Sequence, residues 1–215
     1  MIISIFSPKG GVGKTTLTLA LANVISKEKR TCVVEYDFSP GDFPALLSVS
    51  ETKNILNALN DLDGSIQRPE GRNYDVIVGA YPDDYEKIGS NDVIRLVTEL
   101  EKRYDVVLFD IQPGFIESCI DVMGKSQKVI LVVEDELRVA ARVNSFLDWL
   151  KINELSDLSN YFYIKNKSVS NQLQYIDKIR YKLPILYSVP FIKKLKGIDD
   201  KHLIKYLMKA KEAIL

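Results

Sequence analysis

The sequence contains few of the residues on which disulfide-bonded, metal-binding and membrane-spanning proteins depend. Of its 215 residues, two are cysteine, one is histidine and one is tryptophan. Cys32 and Cys119 occur in apolar or helix-like contexts and do not form a metal-spaced pair, so we expect buried thiols, a reducing cytoplasm and no disulfide. No apolar run approaches membrane-spanning length, and a strand-like run begins directly after Met1. We therefore expect neither a membrane span nor a signal peptide.

An excess of charge of one sign is also lacking, but the charges are unevenly placed. The formal net charge is zero. Residues 1–159 carry 17 Lys and Arg against 25 Asp and Glu, whereas residues 160–215 carry 12 against 4. The basic C-terminal part predicts either an anionic partner or a solvated lysine-rich face, and both remain open. The length allows one substantial core, so we predict a single domain over residues 1–215.

Apolar runs alternate with helix-like stretches along the chain. The runs are continuous, as expected for strands that are covered on both faces of a parallel sheet. We predict strands near 2–6, 32–36, 75–79, 105–109, 128–133, 161–165 and 186–189, and helices near 14–28, 52–59, 90–102, 115–124, 136–151, 171–181 and 199–213. This order predicts an α/β fold with a doubly wound, mostly parallel sheet, helices on both faces and ligands at the carboxyl ends of the strands.

Residues 9–16 lie between the first predicted strand and the first predicted helix. A strand, a glycine-rich loop and a helix N-terminus together form the context of a phosphate-binding loop, because backbone N–H groups and the helix dipole attract phosphate oxygens. Lys14 would neutralise the β- and γ-phosphates, and the Thr15 hydroxyl would ligate Mg²⁺. The predicted nucleotide-binding residues of the loop are Lys9, Gly10, Gly11, Val12, Gly13, Lys14, Thr15 and Thr16.

Asp110 provides a second part of the predicted site. It follows four apolar residues, 106–109, and precedes Ile111-Gln112-Pro113-Gly114. An aspartate at the end of a buried strand is the Walker B arrangement, whose carboxylate holds Mg²⁺ through water close to the P-loop hydroxyl. We expect the turn from Gln112 to Phe115 to sense the γ-phosphate.

The glycine-rich loop departs from the usual Walker A sequence. Pro8 stands where the first glycine is expected, and Lys9 precedes the glycines. In this respect the loop resembles the deviant Walker A motif of the ParA/MinD superfamily of ATPases. The resemblance implies a P-loop NTPase fold and an ATP-bound homodimer in which Lys9 reaches the partner's phosphates, so that Lys9 and Lys14 are both catalytic. Ser7-Pro8 and residues 38–43 are most similar to the CpaE/TadZ branch.

Asp37 ends the second predicted strand. The segment from Glu35 through Asp37 to Gly41 resembles switch I of the same superfamily, which usually reads Asp-x-Asp before Pro and Gly, with Glu35 in place of the first aspartate. The resemblance implies that Asp37 orients or activates the attacking water and contacts Mg²⁺ through water. The alternative role for Asp37 is a cap of the turn before Pro40.

The sixth predicted strand leads into residues that bear on the choice of base. A guanine site would need an aspartate at the position of Val169. The Asn166 amide can donate and accept, which suits adenine, although a loop amide that caps its own backbone is the alternative. The resemblance further implies that the loop at Pro190 packs on adenine. We therefore predict ATP and Mg²⁺ as cofactors.

The last predicted helix is amphipathic and has three open roles. Its apolar residues share one face, its lysines lie toward the others, and the lone His202 is expected at the surface. The helix could pack on the sheet, bind anionic membrane as the MinD resemblance implies, or contribute to nonspecific DNA binding. The apolar residues are Leu203, Ile204, Leu207, Met208 and Ile214, and the lysines are Lys201, Lys205, Lys209 and Lys211.

The resemblance implies a cytoplasmic Mg-ATP-dependent dimerisation switch, peripheral on a membrane or nucleoid, with slow ATP hydrolysis stimulated by a partner. Its role would be subcellular positioning or partitioning, and its partners would include a protein activator or cargo adaptor. A nucleotide-dependent scaffold with negligible turnover is one alternative. A metabolic or metal-delivery ATPase of the same superfamily is another, although a nitrogenase-type cluster would need paired cysteines in the switch loops.

Overall fold

A parallel sheet forms the centre of the molecule. The structure is a computed structural model that describes residues 1–39, 41–114, 116–169 and 175–215, without the side chains of residues 85 and 86. The strands in these ranges are β1 (Ile2–Phe6), β2 (Thr31–Tyr36), β3 (Asp75–Ile77), β4 (Val106–Ile111), β5 (Lys128–Val133), β6 (Tyr161–Ser168) and β7 (Ile185–Pro190). They form one sheet in the order β3-β2-β4-β1-β5-β6-β7, and every strand pair is parallel. The predicted α/β fold is therefore confirmed.

The central strands are buried along their whole length. All residues of β1, β2 and β4 are buried, whereas β7 at one edge exposes Ile185. Continuous apolar sequence thus marks strands that are covered on both faces. Cys32 of β2 and Cys119 are buried free thiols, and burial raises the pKa of each.

Helices cover the sheet. They are α1 (Lys14–Ile25), α2 (Phe43–Leu47), α3 (Ile55–Ala58), α4 (Leu62–Ser65), α5 (Ser90–Arg103), α6 (Glu117–Lys125), α7 (Leu137–Ile152) and α8 (Lys201–Ile214). The short helices α2 and α4 were not predicted. The helix predicted over 52–59 is reduced to α3 because the Asn54 side chain caps it at Leu56 N and Asn57 N. Among the described residues, no helix combines the length and apolarity needed to cross a membrane.

The prediction of a helix over 171–181 is wrong in its described part. Residues 171–174 lie outside the described residues, and only a 3-10 turn, Ile176–Lys178, forms after them. The Asn144 side chain on α7 donates to Lys178 O at 3.0 Å and accepts from Arg180 N at 2.8 Å. Because a side chain satisfies these backbone groups, the segment does not need helical hydrogen bonds.

The apolar face of α8 is used for packing. This helix contacts α1 and β7, and its buried residues are Leu203, Leu207, Ala210 and Ile214. Met208, which was expected on the same face, is 52% exposed, and Ile204 is half-buried. Lys201, Lys205 and Lys209 are exposed, as is His202. Of the three roles considered for this helix, packing on the rest of the protein is the one that its buried apolar residues fulfil.

Glu35 on β2 connects the loops that follow two neighbouring strands. Its buried carboxylate accepts hydrogen bonds from Phe43 N at 2.9 Å and from Gly79 N at 3.0 Å. Burial raises the pKa of Glu35 to about 7, and the two backbone hydrogen bonds oppose that rise. A Cβ atom at Gly41 would clash with the Glu35 carboxylate, so a larger residue there would have to displace that side chain. Glu35 therefore fixes the loop after β2 against the loop after β3.

Replacing Glu35 tests this connection. In Glu35→Gln the amide keeps one acceptor, and its NH₂ group faces a backbone N–H, so one buried donor loses its partner. We expect the free energy of unfolding to fall by about 1–3 kcal/mol. Urea unfolding followed by circular dichroism measures the change, with the exposed Glu70→Gln as the matched control. Equal stabilities of the two variants would contradict this role of Glu35.

A pair of adjacent residues tests the packing of α8. Leu207→Ala removes a buried side chain and is expected to lower the free energy of unfolding by about 2–5 kcal/mol. Met208→Ala changes the exposed neighbour and should stay within about 0.5 kcal/mol of the wild type. The same urea experiment compares them, and a larger loss in Met208→Ala would reverse the assignment of the faces.

Candidate functional site

The loop between β1 and α1 has the backbone of an anion cradle. Gly11 and Gly13 adopt φ angles of 80° and 87°, which residues with a Cβ rarely adopt. Gly13 is the N-cap residue of α1, and its carbonyl accepts from Leu17 N at 3.0 Å. The free N–H groups at a helix start and the helix dipole both favour a phosphate at this position. The loop from Gly10 to Thr16 thus has a backbone suited to an anion, and phosphate binding by these residues stays a prediction.

Lys14 and Asp110 form the charged centre of the site. The Lys14 side chain is buried, which lowers its pKa, while the charges of Asp110 and Asp37 oppose the shift. Burial raises the pKa of Asp110 to about 6, opposed by a hydrogen bond from Thr15 and by the Lys14 charge. The three groups lie at the carboxyl ends of β4 and β2 and at the start of α1.

Thr18 is a site residue that the sequence analysis missed. Its hydroxyl donates to Lys14 O at 2.9 Å and lies 3.3 Å from Asp110 Oδ1. A threonine one turn into the helix carries no motif of its own, although its i+4 spacing from Lys14 places it on the same face. Thr18 helps to hold the Asp110 carboxylate beside the loop.

The contact between Thr15 and Asp110 fits a magnesium ion that is bound together with nucleotide. A hydroxyl and a carboxylate are hard oxygen ligands of the kind that Mg²⁺ prefers, and Mg²⁺ usually completes its shell with phosphate oxygens and water. In the described ranges, no three His, Cys, Asp or Glu side chains group closely enough to hold a metal. The Thr15 hydroxyl and the Asp110 carboxylate therefore suit an ion that is shared with a phosphate ligand.

Asp37 is half-buried at the end of β2 and takes part in a local turn. Its Oδ1 atom accepts from Ser39 N at 2.9 Å and from Ser39 Oγ at 2.6 Å. Asp37 also interacts electrostatically with Lys14 and Asp110. The turn-cap role and the position beside the phosphate cradle thus coexist in one residue. Pro40, which follows this turn, lies outside the described residues.

Gln112 joins the turn after β4 to the loop after β2. Its Oε1 atom accepts from Phe38 N at 3.0 Å, and its own backbone N–H donates to Tyr36 O at 3.1 Å. The turn expected to sense phosphate therefore contacts the loop that carries Asp37. The last residue of that predicted turn, Phe115, lies outside the described residues.

Asn166 and Pro190 line one cavity beside the phosphate-binding loop. The Asn166 side chain donates from Nδ2 to Val12 O at 2.8 Å, so its partner is the loop and not its own backbone. A Cβ atom at Gly13 would lie 2.7 Å from Asn166 Nδ2. The cavity has a volume of about 450 Å³, and its walls include Gly11, Gly13, Thr16, Leu17, Asn166, Val189, Pro190 and Phe191. Its position next to the cradle suits the base and ribose of a nucleotide.

Lys9 and Lys167 each pair with an acidic residue that the sequence analysis missed. Lys9 Nζ lies 2.5 Å from Glu136 Oε2, and Lys167 Nζ lies 2.6 Å from Glu134 Oε1. Lys167 also donates to Gly11 O at 2.8 Å. Both acids follow β5, which lies beside β1 in the sheet. The position of the two acids directly after a predicted strand could have indicated these contacts, since side chains that follow neighbouring parallel strands meet at one edge of the sheet.

Two comparisons with known sequences identify the family. A family model described as an AAA domain matches residues 1–161. The chain is 27% identical to an uncharacterized ATP-binding protein of Methanocaldococcus jannaschii over 195 residues, which cover 86% of this chain and 73% of that protein. It is 23% identical to the septum site-determining protein MinD of Thermotoga maritima over 164 residues, which cover 73% of this chain and 60% of MinD. The chain thus spans less than two thirds of that MinD.

Solved structures share the fold. The ParA family ATPase of Chlorobium tepidum has a TM-score of 0.82 at 19% identity, with 98% of each chain covered. MinD of Pyrococcus horikoshii, complexed with Mg-ADP, has a TM-score of 0.79 at 19% identity, covering 99% of this chain and 95% of that one. Because three quarters of the sequence matches the family model and the fold agrees, the chain belongs to this AAA-domain family and to the ParA/MinD superfamily of P-loop ATPases.

Proposed function

We propose that this protein is a Mg-ATP-dependent dimerisation switch with slow ATP hydrolysis, which acts in subcellular positioning or partitioning. The observation that carries the proposal is the difference between the two lysines of the loop. Lys14 is buried beside Asp110 and Asp37, whereas the Lys9 side chain is 26% exposed and pairs with Glu136. An ammonium group at the rim of a site is accessible to a second molecule, and a buried one is not.

The residues of the chain divide the work of ATP hydrolysis among them. The loop N–H groups and Lys14 bind and orient the phosphates, and Thr15 with Asp110 would hold Mg²⁺, which supplies charge neutralisation when it is bound. Asp37 would orient water for in-line attack, since phosphoryl transfer depends mainly on positioning and charge stabilisation. Lys9 would contact the γ-phosphate of the partner copy. Because ADP lacks that phosphate, the dimer would separate after hydrolysis.

Two other functions are compatible with the same fold. A scaffold with negligible turnover is favoured by the bonds that already engage Asp37 Oδ1, because they leave fewer acceptors for a water molecule. A metal-delivery function has less support, since Cys32 and Cys119 are both buried and burial raises their pKa. We therefore retain the scaffold as the second candidate.

The proposed switch also indicates which classes of partner and which cellular roles to expect. Proteins similar to this chain include MinD proteins named for septum placement and a ParA family ATPase, so a protein activator or cargo adaptor is the expected partner. Division-site placement, DNA segregation and pilus placement are the candidate roles, the last through the similarity of Ser7-Pro8 and residues 38–43 to the CpaE/TadZ branch. We place the protein in the cytoplasm, with peripheral binding to a membrane or nucleoid.

A lysine-rich groove is the proposed contact with that anionic surface. It has a volume of about 780 Å³, adjoins the nucleotide cavity at Pro190 and Phe191, and is lined by Lys193, Lys194, Lys196, Lys201, His202 and Tyr206 among others. The apolar face of α8 is already packed, so exposed lysines are the groups available to phosphates of DNA or of lipid headgroups.

The dimerisation switch is tested with Asp37→Ala. Loss of the carboxylate should reduce phosphate release by about 100-fold or more while ATP still binds, so the dimer accumulates. Size-exclusion chromatography with ATP and Mg²⁺ should show a stable dimer of Asp37→Ala and a monomer of Lys9→Ala. If Asp37→Ala stays monomeric with ATP, the proposed switch is wrong. If the variant dimerises but the wild type itself releases almost no phosphate, the scaffold is favoured.

The anionic surface is tested by reversing charges. The triple variant Lys193→Glu, Lys194→Glu and Lys196→Glu should lose most of its cosedimentation with duplex DNA or with anionic liposomes in the presence of ATP. The control reverses three exposed lysines elsewhere, Lys27, Lys29 and Lys53, and so has the same net charge. DNA binding should weaken steeply between 50 and 200 mM salt, by roughly 10³-fold if six phosphates are contacted. Equal losses in both triple variants would show that the groove has no special role.

A further inference from the structure

Glu136 lies where it can compete with a partner copy for Lys9. Its Oε2 atom is 2.5 Å from Lys9 Nζ, and the two side chains are 40% and 26% exposed. The Glu136 carboxylate has its pKa lowered first by the hydrogen bond from Lys9 and then by the positive charges of Lys9, Arg138 and Lys167. The Glu136 carboxylate and the Lys9 ammonium group thus form an ion pair.

The backbone of Glu136 is held firmly. It is the N-cap residue of α7, and its carbonyl accepts from Val139 N at 3.0 Å and from Ala140 N at 3.1 Å. Val139 and Ala140 are buried in the core, so the start of the helix cannot shift without breaking that packing. Arg142, six residues further along the chain, donates to Pro8 O at 3.1 Å and holds the residue that precedes Lys9. Helix α7 thus fixes both Glu136 and the backbone at Lys9.

The second ion pair at this edge has a different role. Lys167 is bound to Glu134 and to Gly11 O together, so it supports the backbone of the cradle. Lys9 Nζ has Glu136 as its carboxylate partner, and none of its described bonds supports the cradle. The Lys9 side chain can therefore leave Glu136 without disturbing the loop that binds phosphate.

We infer that Glu136 is a positioning residue that retains Lys9 in the single chain and releases it only to the γ-phosphate of a second copy. The inference rests on the proposed dimerisation. A γ-phosphate carries more negative charge than one carboxylate, so it displaces Glu136, whereas ADP has no phosphate at the γ position. The ion pair thus makes dimerisation less favourable and limits it to the ATP-bound state. Two pairs break for each dimer that forms.

The variant Glu136→Gln tests the inference. The amide has nearly the same shape but no charge, so Lys9 is released in advance. With a non-hydrolysable ATP analogue and Mg²⁺, analytical ultracentrifugation should give a dimer dissociation constant about fivefold to tenfold lower than that of the wild type, because two partly exposed pairs no longer have to break. The affinity for ADP, measured on the monomer, should not change.

A control variant and a second readout separate the outcomes. Asp148→Asn breaks the ion pair with Arg180 on the same helix, about 18 Å further along, and should leave the dissociation constant unchanged. Without nucleotide, acylation of Lys9 by a small amine-reactive ester, followed by peptide mass spectrometry, should be several times faster in Glu136→Gln than in the wild type.

The experiments distinguish a failure of the proposed dimerisation from a failure of the role inferred for Glu136. A wild type that forms no dimer with the analogue would overturn the proposed function and with it the release of Lys9. A wild-type dimer that Glu136→Gln leaves unchanged or weakens would overturn the inference alone. Equal acylation of Lys9 in both proteins would also overturn it, because Glu136 would then not retain the lysine in the single chain.

Discussion

The buried ammonium group of Lys14 constrains the whole end of the sheet at which it lies. Removing a cation from water is costly, and burial accordingly lowers its pKa, so opposite charge has to lie nearby. Asp110 and Asp37 provide that charge, and each comes from the end of a different strand. The order of β2, β4 and β1 in the sheet brings the three groups together. The parallel topology is thus a requirement of the site as much as of the core.

Two polar side chains extend this constraint from the charged centre to the surrounding loops. Glu35 binds Phe43 N and Gly79 N, and Gln112 binds Phe38 N, so the loops after β2, β3 and β4 are joined by hydrogen bonds. A phosphate that displaces one of these loops would therefore move the others. The glutamate in place of the usual aspartate gives the longer arm that reaches both N–H groups. This departure from the superfamily pattern has a structural reason in the present chain.

The predictable part of the molecule is the part that is encoded locally. Continuous apolar runs located the strands to within a few residues, and the glycine-rich loop and Asp110 were placed by short motifs. Contacts between distant segments were not predictable: Thr18 with Asp110 spans 92 residues, Lys9 with Glu136 spans 127, and Asn166 with Val12 spans 154. The helix expected over 171–181 failed for the same reason, because Asn144 on another element satisfies its backbone.

The two lysines of one short loop differ because their surroundings differ. Lys14 is surrounded by protein, so its loss of hydration is compensated by fixed carboxylates and its position cannot change without exposing buried charge. The Lys9 pair is partly hydrated, and water replaces either partner at small cost when the pair opens. In the proposed switch, Lys14 would stay with the nucleotide of its own chain while Lys9 offers its charge to a second copy. The separation of these two tasks follows from burial alone, since both residues have the same side chain.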